Sequence, residues 1–245
     1  MDRWKDRVAL VTGASGSIGL AIARTLAMHG MQVVICGRNF EKLKEVAEEL
    51  NQYGSGSVYG CDITQEDEIL AMFEKVNDKY GGVDVMINAA GLANGAALTT
   101  GKTSDWKRMI DVNILGAAIC SREAINSMKR FDADDGHIIN INGLSGHRVE
   151  QNASTHFYAA TKFALTAMTE GLRQELRDKR SHIKVSQISP GVVQNEFLGG
   201  RTPLESNSYK AIEGQDVADI VRSILSTPPH VQIHDVLVRP LDQSH

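Results

Sequence analysis

The sequence lacks long apolar runs, a strong excess of one charge and more than a few cysteines. Its longest apolar stretches, at 8–11 and 33–36, are far shorter than the roughly 18 apolar residues that a membrane span requires. The formal net charge is only -4 over 245 residues, and we therefore expect no nucleic-acid partner. The three cysteines, Cys36, Cys61 and Cys120, have the spacing of neither a zinc site nor a disulfide framework. We expect core thiols and no metal.

Neither terminus carries a recognisable targeting segment. The chain begins MDRWKD and enters its first predicted strand at residue 7, which leaves no room for a secretory signal peptide. The last residues, Gln243-Ser244-His245, are not a peroxisomal or retention tag. These features predict a cytoplasmic protein in a reducing compartment.

Short apolar runs alternate with long amphipathic segments along the whole chain. Strands are predicted at 7–12, 32–36, 57–61, 83–87, 136–142, 183–188 and 234–239, and helices at 17–29, 40–53, 65–80, 103–130, 155–179 and 215–226. The strand runs are continuously apolar, as in a parallel sheet covered on both faces. The pattern predicts an α/β fold: one doubly wound (Rossmann) domain over 1–245, with a seven-stranded parallel sheet and helices on both faces.

Two segments interrupt this regularity. The long helical pattern at 103–130 contains Gly116, and we expect a bend near Asn113. The segment 191–214 is rich in Gly, Pro, Ser and Asn and has no clear periodicity. A loop of this length is usually functional, and we interpret it as a mobile substrate loop. A solvated crossover is the alternative.

The first predicted strand runs directly into a glycine-rich turn, Thr12-Gly13-Ala14-Ser15-Gly16-Ser17-Ile18-Gly19. Glycines there permit a tight turn and a close approach of the backbone to a pyrophosphate. The helix that follows directs free N–H groups and its positive dipole end at the same place. Because the motif follows a strand and opens a helix, it predicts a dinucleotide site.

The end of the second predicted strand indicates which dinucleotide. An NAD site places Asp or Glu there to bond the ribose hydroxyls, but this sequence has Gly37 and Arg38. A guanidinium matches the geometry of a 2′-phosphate, so we predict NADP(H). Asp62, after the third strand, could accept from the adenine amino group, cap the next helix, or do both.

These motifs together resemble the short-chain dehydrogenase/reductase family over nearly the whole chain. The resemblance is carried by the glycine turn, Asn88-Ala89-Ala90-Gly91, Tyr158-Ala159-Ala160-Thr161-Lys162 and Pro190-Gly191, in family order and spacing. The segments 136–142, 145–149 and 155–158 are similar to the group that holds insect farnesol dehydrogenases and a related vertebrate cytosolic carbonyl/ketosteroid reductase. This narrower resemblance implies NADP(H) and a lipophilic alcohol or ketone as substrate.

Tyr158 and Lys162 are four residues apart on a predicted helix and therefore share a face. Tyr158 can give a proton to a ketone oxygen as hydride arrives. Bringing its pKa from near 10 to near 7 requires about 4 kcal/mol of preference for the phenolate. Lys162 and the oxidised nicotinamide are cations that supply part of this. The resemblance implies that Asn113 holds a proton-relay water through its backbone.

The resemblance also implies a set of cofactor contacts. They are Gly13, Ser15, Ser17, Ile18, Gly19, Arg38, Asp62, Ile63, Asn88, Ala89, Gly91, Tyr158, Lys162, Pro190, Gly191, Val193 and Asn195. Many relatives have threonine at the position of Asn195, where it bonds the nicotinamide carboxamide. An asparagine amide can make that bond too. Phe197 and Leu198 are predicted to close over an apolar substrate.

One catalytic position departs from the family pattern. The family serine after the fifth strand stands three residues before a glycine, and here that position is Gly143. Removing such a donor typically costs about 100- to 1000-fold, roughly 3–4 kcal/mol. Ser145 could replace it, Asn142 or a water could do so, or the site has lost much of its chemistry. We favour a working enzyme with Ser145 as the substitute. His147 and His156 match no required position, and we interpret them as structural or substrate-contacting.

The sequence therefore predicts an NADP(H)-dependent oxidoreductase that interconverts a lipophilic alcohol and its carbonyl. The alternative function, motivated by Gly143, is an NADPH-binding regulatory protein with little turnover. A small lipophilic substrate is the expected partner. Because the long helices 103–130 and 155–179 carry more apolar face than the sheet requires, we also expect a homodimer or homotetramer.

Overall fold

The computed structural model describes residues 1–54, 56–194 and 210–243. Its strands are β1 (Val8–Thr12), β2 (Gln32–Gly37), β3 (Ser57–Gly60), β4 (Val85–Asn88), β5 (His137–Ile141), β6 (Lys184–Pro190) and β7 (Asp235–Val238). They form one sheet in the order β3-β2-β1-β4-β5-β6-β7, and every pairing is parallel. The predicted seven-stranded, doubly wound parallel sheet is confirmed.

Helices connect the strands and cover both faces of the sheet. They are α1 (Ser17–Met28), α2 (Phe40–Leu50), α3 (Glu66–Tyr80), α4 (Thr103–Ile110), α5 (Ala117–Arg130), α6 (His156–Asp178) and α7 (Gly214–Leu225). The helix predicted at 103–130 is interrupted by a π-helical segment, Asp111–Gly116, where the sequence predicts a bend. A side chain at Gly116 would lie 2.8 Å from the Ile63 carbonyl oxygen, so this close approach requires glycine.

The strands bury alternate residues on the two faces of the sheet. Ala9 and Val11 of β1 pack with α1, α2 and α7, whereas Val8 and Leu10 pack with α3, α5 and α6. All five residues of β1 are buried, as expected for a strand covered on both sides. The three cysteines are buried free thiols, in agreement with the prediction of core thiols.

A row of polar side chains crosses the sheet near its carboxyl edge. Neighbouring strands place Thr12, Asn88, Asn140, Gln187 and Asp235 in register. The Asn88 amide donates to the Asn140 oxygen at 2.8 Å, and the Gln187 amide donates to the Asp235 carboxylate at 2.9 Å. Because buried polar groups are costly unless they are paired, these two bonds hold β4 to β5 and β6 to β7 in a defined register.

The carboxyl edge contains the switch point at which an open α/β sheet binds its ligands. Strand β1 has β2 on one side and β4 on the other, so the connections leave β1 in opposite directions and open a crevice there. The glycine turn follows β1, and Asn88 ends β4. The predicted dinucleotide motif therefore lies at the switch point.

Candidate active site

The turn after β1 approaches the turn after β4 more closely than a side chain would permit. Gly13 has φ of +69°, and a Cβ there would lie 2.7 Å from the Ala90 nitrogen. The Thr12 hydroxyl oxygen accepts from the N–H groups of Ala89 and Ala90, each at 3.1 Å. Thr12 thus ties the two turns together, a role that the sequence analysis missed although Thr12 opens the glycine motif.

Helix α1 begins at Ser17, directly after this turn. A side chain at Gly19 would overlap the Gly13 carbonyl, so the helix packs onto the turn only with glycine there. Ser15 and Ile18 flank the turn and are partly exposed. The Ser17 hydroxyl is buried and has no hydrogen-bond partner in the described residues. An unsatisfied hydroxyl beside free N–H groups fits a phosphate ligand.

The end of β2 supplies a cation and open space. Gly37 is the last residue of the strand, and the side chain of the exposed Arg38 forms no ion pair or hydrogen bond within the described ranges. A Cβ at Gly37 would contact only the Leu43 side chain, at 3.3 Å. A free guanidinium without a neighbouring carboxylate fits the 2′-phosphate of NADP(H).

The segment after β3 forms a turn around Asp62. Its carboxylate accepts from the N–H and the hydroxyl of Thr64, both at 3.0 Å, which orients the chain before α3. Only Oδ1 of Asp62 makes these bonds, so Oδ2 is available to a ligand and both predicted roles remain compatible. Ile63 is buried against Gly116.

Asn88 reaches the crevice only through its main chain. Its side-chain amide donates to the Ser121 hydroxyl at 2.9 Å and to Asn140 within the polar row. Ala89 and Gly91 follow in the partly exposed turn. Contacts from this segment to a cofactor would therefore come from the backbone and not from the asparagine amide.

Helix α6 presents the two predicted catalytic side chains on one face. The Lys162 ammonium lies 5.7 Å from the centre of the Tyr158 ring and donates to the Ile141 carbonyl at 3.2 Å. Lys162 is buried, and burial lowers its pKa to about 8. Burial, with a smaller contribution from Glu150, raises the pKa of the Tyr158 hydroxyl. Without a bound cation beside it, Tyr158 therefore keeps its proton.

The side chain of Asn113 is fully used in structural contacts. Its oxygen accepts from the Leu92 N–H, and its amide donates to the Leu92 carbonyl, both at 2.8 Å. The same amide donates to the Thr161 hydroxyl at 3.0 Å, which lies between Tyr158 and Lys162 in sequence. Only the main chain of Asn113 remains for the predicted water contact, and it lies in the π-helical segment, where regular hydrogen bonding is interrupted.

Gly143 lies directly beside the Tyr158 hydroxyl. A Cβ at this glycine would be 3.7 Å from the Tyr158 oxygen, 3.8 Å from the Pro190 carbonyl oxygen and 4.0 Å from the Ser145 nitrogen. Its φ is 177°, an extended conformation that any residue adopts. A serine here would place its hydroxyl next to Tyr158, as the family pattern implies, without backbone strain.

The candidate substitutes for the missing serine lie on the same turn. Ser145 is partly exposed, in the short 3₁₀ turn Leu144–Gly146. Asn142 is buried, donates its amide to the Thr166 hydroxyl at 2.8 Å and has an oxygen without a partner in the described residues. The structure thus brings Ser145 to the edge of the site and Asn142 beneath it.

The two histidines near the site make structural contacts. His147 bonds the Ser189 hydroxyl at 2.8 Å and lies 3.2 Å from the Asp235 carboxylate. The ring of His156 bonds the Glu150 carbonyl at 2.9 Å. Both contacts fold the segment after β5 onto its neighbours, which agrees with the structural interpretation of these residues.

The segment after β6 closes one side of the crevice. Pro190 ends the strand, and a side chain at Gly191 would overlap the Gln243 amide. Val193 forms a bridge with Ile212, which joins the two ends of the predicted substrate loop. Asn195, Phe197 and Leu198 lie outside the described residues.

The described part of the chain has neither a membrane-spanning helix nor a cluster of metal-ligating side chains. No helix in it is long and apolar enough to cross a membrane. In the same ranges, no three histidine, cysteine or acidic side chains come together as a metal site.

Comparisons with known sequences agree with this geometry. The family model described as short chain dehydrogenase matches residues 7–204. "Dehydrogenase/reductase SDR family member 11" from Bos taurus is 51% identical over 99% of each chain, and the Homo sapiens protein of that name is 49% identical over 99% of this chain and 97% of its own. Farnesol dehydrogenase from Aedes aegypti is 38% identical over 99% of each chain.

Solved structures with the same fold carry a phosphorylated cofactor. The closed form of a serine dehydrogenase complexed with NADP+ has a TM-score of 0.88 and 28% identity, over 97% of this chain and 96% of that one. An alcohol dehydrogenase from the archaeon Thermococcus sibiricus, complexed with 5-hydroxy-NADP, has a TM-score of 0.87 and 28% identity over 98% of each chain.

Proposed function

Because the chain belongs to the short-chain dehydrogenase family, we propose that it is an NADP(H)-dependent oxidoreductase that interconverts a lipophilic alcohol and its carbonyl. The observation that carries this proposal is the Tyr158–Lys162 pair, which lies on one face of α6 with Lys162 buried. A buried lysine without a carboxylate partner is costly, so its retention supports a catalytic role.

The proposed cofactor follows from the residues around the crevice. The free Arg38, the unsatisfied Ser17 hydroxyl and the Gly13 turn together suit a dinucleotide with a 2′-phosphate. Two similar structures contain NADP+ or an NADP derivative, which supports the same assignment. When bound, the nicotinamide supplies or accepts the hydride.

The chain's own residues would handle the proton. Tyr158 donates from its hydroxyl to the carbonyl oxygen during reduction and accepts from the alcohol during oxidation. The raised pKa of its hydroxyl keeps the proton in place until a cation arrives beside it. Lys162 and an oxidised nicotinamide would then stabilise the phenolate. The main chain of Asn113 would hold a water that returns the proton from solvent.

A lipophilic substrate is proposed from the relatives and from the local surface. One relative is a farnesol dehydrogenase. Phe157, directly before Tyr158 in α6, stacks on Trp106 of α4 with the ring centres 5.2 Å apart. We place this enzyme in the cytoplasm, as a homodimer or homotetramer that associates through α5 and α6. The groove between those helices is lined in part by Ala118, Leu165, Met168 and Leu172.

A second candidate function is an NADPH-binding regulatory protein with little turnover. Gly143 favours the regulatory function because it has no side chain. A Cβ at this position would lie 3.7 Å from the Tyr158 hydroxyl, so one donor to the developing alkoxide is missing. The intact Tyr158–Lys162 pair favours the enzyme.

Oxidation of NADPH against a broad panel of lipophilic ketones and aldehydes distinguishes the two functions. The enzyme should turn over at least one carbonyl, and Tyr158→Phe should reduce that rate by at least 100-fold while NADPH binding is kept. Tight NADPH binding with equal, background rates for the parent and Tyr158→Phe proteins on every carbonyl would support the regulator instead.

A further inference from the structure

Gly143 leaves a small cell of space beside the proposed proton donor. Its centre, where a Cβ would stand, is 3.7 Å from the Tyr158 hydroxyl, 3.8 Å from the Pro190 carbonyl oxygen and 4.0 Å from the Ser145 nitrogen. No other heavy atom of a described residue lies within 4 Å of this point, apart from those of Gly143 and its chain neighbours. The cell therefore accepts a carbon atom at ordinary van der Waals distance from its neighbours.

The walls of the cell are polar. The Tyr158 hydroxyl, the Pro190 carbonyl oxygen and the Ser145 nitrogen are the nearest atoms that border it. Gly143 itself is buried. An apolar group in the cell would cover these polar atoms without offering them a hydrogen bond, which is unfavourable. A hydroxyl can both donate and accept, so it suits this lining better than a methyl group.

The position of this hydroxyl on a substrate follows from its distance to Tyr158. A carbonyl oxygen that accepts from Tyr158 lies about 2.7 Å from the phenolic oxygen. A hydroxyl on the carbon next to the carbonyl can lie at about the same distance from the carbonyl oxygen and donate to it. Such a group would enter the cell while the carbonyl remains on Tyr158.

Resting on the proposed oxidoreductase function, we propose that the preferred substrates are α-hydroxy ketones or aldehydes, whose own hydroxyl occupies the cell beside Gly143 and replaces the missing donor. In reduction, the carbonyl carbon gains a hydride from reduced nicotinamide and the carbonyl oxygen gains the Tyr158 proton. The products are a vicinal diol and oxidised nicotinamide, and Tyr158 regains its proton from solvent. The reverse reaction oxidises one carbon of such a diol.

A matched pair of ketones tests the proposal. 2-Hydroxyacetophenone and propiophenone differ only in a hydroxyl in place of a methyl group. Both are compared by kcat/KM in the parent, Gly143→Ala and Gly143→Ser proteins. The electronic effect of the hydroxyl on the carbonyl is the same for every variant, so it cancels when the substrate ratios are compared between proteins.

The parent should prefer 2-hydroxyacetophenone, and Gly143→Ser should reduce that preference by about 100-fold, the contribution of one donor. The added serine raises the rate with propiophenone and excludes the hydroxyl of the other ketone. Gly143→Ala should lower the rate with 2-hydroxyacetophenone at least tenfold without improving propiophenone.

Binding to the NADP+ complex gives a second readout by calorimetry. Gly143→Ala should weaken 1-phenyl-1,2-ethanediol at least tenfold and leave 1-phenylpropan-1-ol unchanged. If the ratio of kcat/KM for the two ketones is equal in all three proteins, the substrate proposal is wrong, although the proposed oxidoreductase function is unaffected. Equal losses for both ketones in Gly143→Ala would overturn it in favour of a bound water. NADPH binding without turnover of any carbonyl, with neither alcohol bound, would reject the proposed function as well.

Discussion

Lys162→Met should stabilise the protein at pH 7 while it removes a group proposed for catalysis. Lys162 is buried, with 3% of its surface exposed, and burial lowers its pKa from 10.5 to about 8. Methionine has a similar length and no charge, so the variant avoids the free energy of burying an ammonium group. We propose that the native structure carries that cost because the cation is used at the proposed site.

The size of the effect follows from the pKa. A shift of about 2.5 units corresponds to about 3.4 kcal/mol of preference for the neutral form in the native state. Below pH 8, the native and unfolded states both hold the proton, so the full penalty is present. Between pH 8 and 10.5 the native state releases the proton while the unfolded state keeps it, and the stability of the parent rises. In Lys162→Met, loss of the hydrogen bond to the Ile141 carbonyl reduces the gain in stability by about 1 kcal/mol.

Urea unfolding of the two proteins, followed by circular dichroism at several pH values, measures this difference. At pH 7 the variant should be more stable by about 2 kcal/mol, and this advantage should fall by about 2 kcal/mol between pH 8 and 9.5. Other titrating groups are common to both proteins and cancel. A difference that stays constant over this range would refute the assignment of a charge buried at Lys162.

Lys184→Met is the matched control. Lys184 is also buried, and burial lowers its pKa, but its ammonium donates to the carbonyls of Pro228 and Val231 at 2.9 and 2.6 Å. Removing it takes one donor from each carbonyl, although Pro228 also accepts from the Val231 N–H and Val231 from the Thr227 hydroxyl. Because two short bonds to a charged group are lost, this variant should be less stable than the parent. A gain in stability for Lys184→Met would show that methionine itself accounts for the Lys162 result.

Gly37→Asp should weaken NADPH relative to NADH at least tenfold in a fluorescence titration, because a carboxylate beside Arg38 repels the 2′-phosphate; an unchanged ratio would contradict the cofactor assignment. His137→Gln should unfold at a lower pH than the parent, because burial lowers the pKa of His137 to about 3. The free energy of unfolding of the parent therefore falls by about 2 kcal/mol between pH 6.5 and 5 through this group. Equal midpoints of acid unfolding for the two proteins would contradict this prediction. Ser145→Ala should cost at least tenfold in ketone reduction if its hydroxyl replaces the family serine, and an unchanged rate would exclude that. Light scattering at micromolar concentration should give a dimer or tetramer, and a monomer would overturn the proposed α5–α6 interface.

Much of the fold and the cofactor crevice could be predicted from local patterns. The apolar runs predicted the strands because a parallel strand covered on both faces must be apolar throughout, as β1 is. The edge strands β3 and β7 depart from this pattern and are only partly buried. The glycine turn before Ser17 was recognisable because glycine favours the positive φ of Gly13 and leaves room for the close approach of Ala90. Tyr158 and Lys162 share a face through helix geometry alone.

The polar row across the sheet could not be predicted in this way. Thr12, Asn88, Asn140, Gln187 and Asp235 are far apart in sequence and meet only through strand order and register. Each of them, taken alone, is an unfavourable polar residue in a strand. Pairing across neighbouring strands makes Asn88, Asn140 and Gln187 compatible with burial, and the exposed Asp235 ends the row as an acceptor for Gln187.

The sequence by itself determined the fold class, the dinucleotide crevice and the shared face of Tyr158 and Lys162, because these depend on periodicity and on local backbone conformation. It also located the absent hydroxyl at Gly143, through the spacing of a motif. Only the tertiary structure decided what surrounds that position, with Tyr158, Pro190 and Ser145 brought within about 4 Å of one point. The physical reason is that contacts between three separate elements arise from packing of the sheet against α6, and no local pattern encodes them.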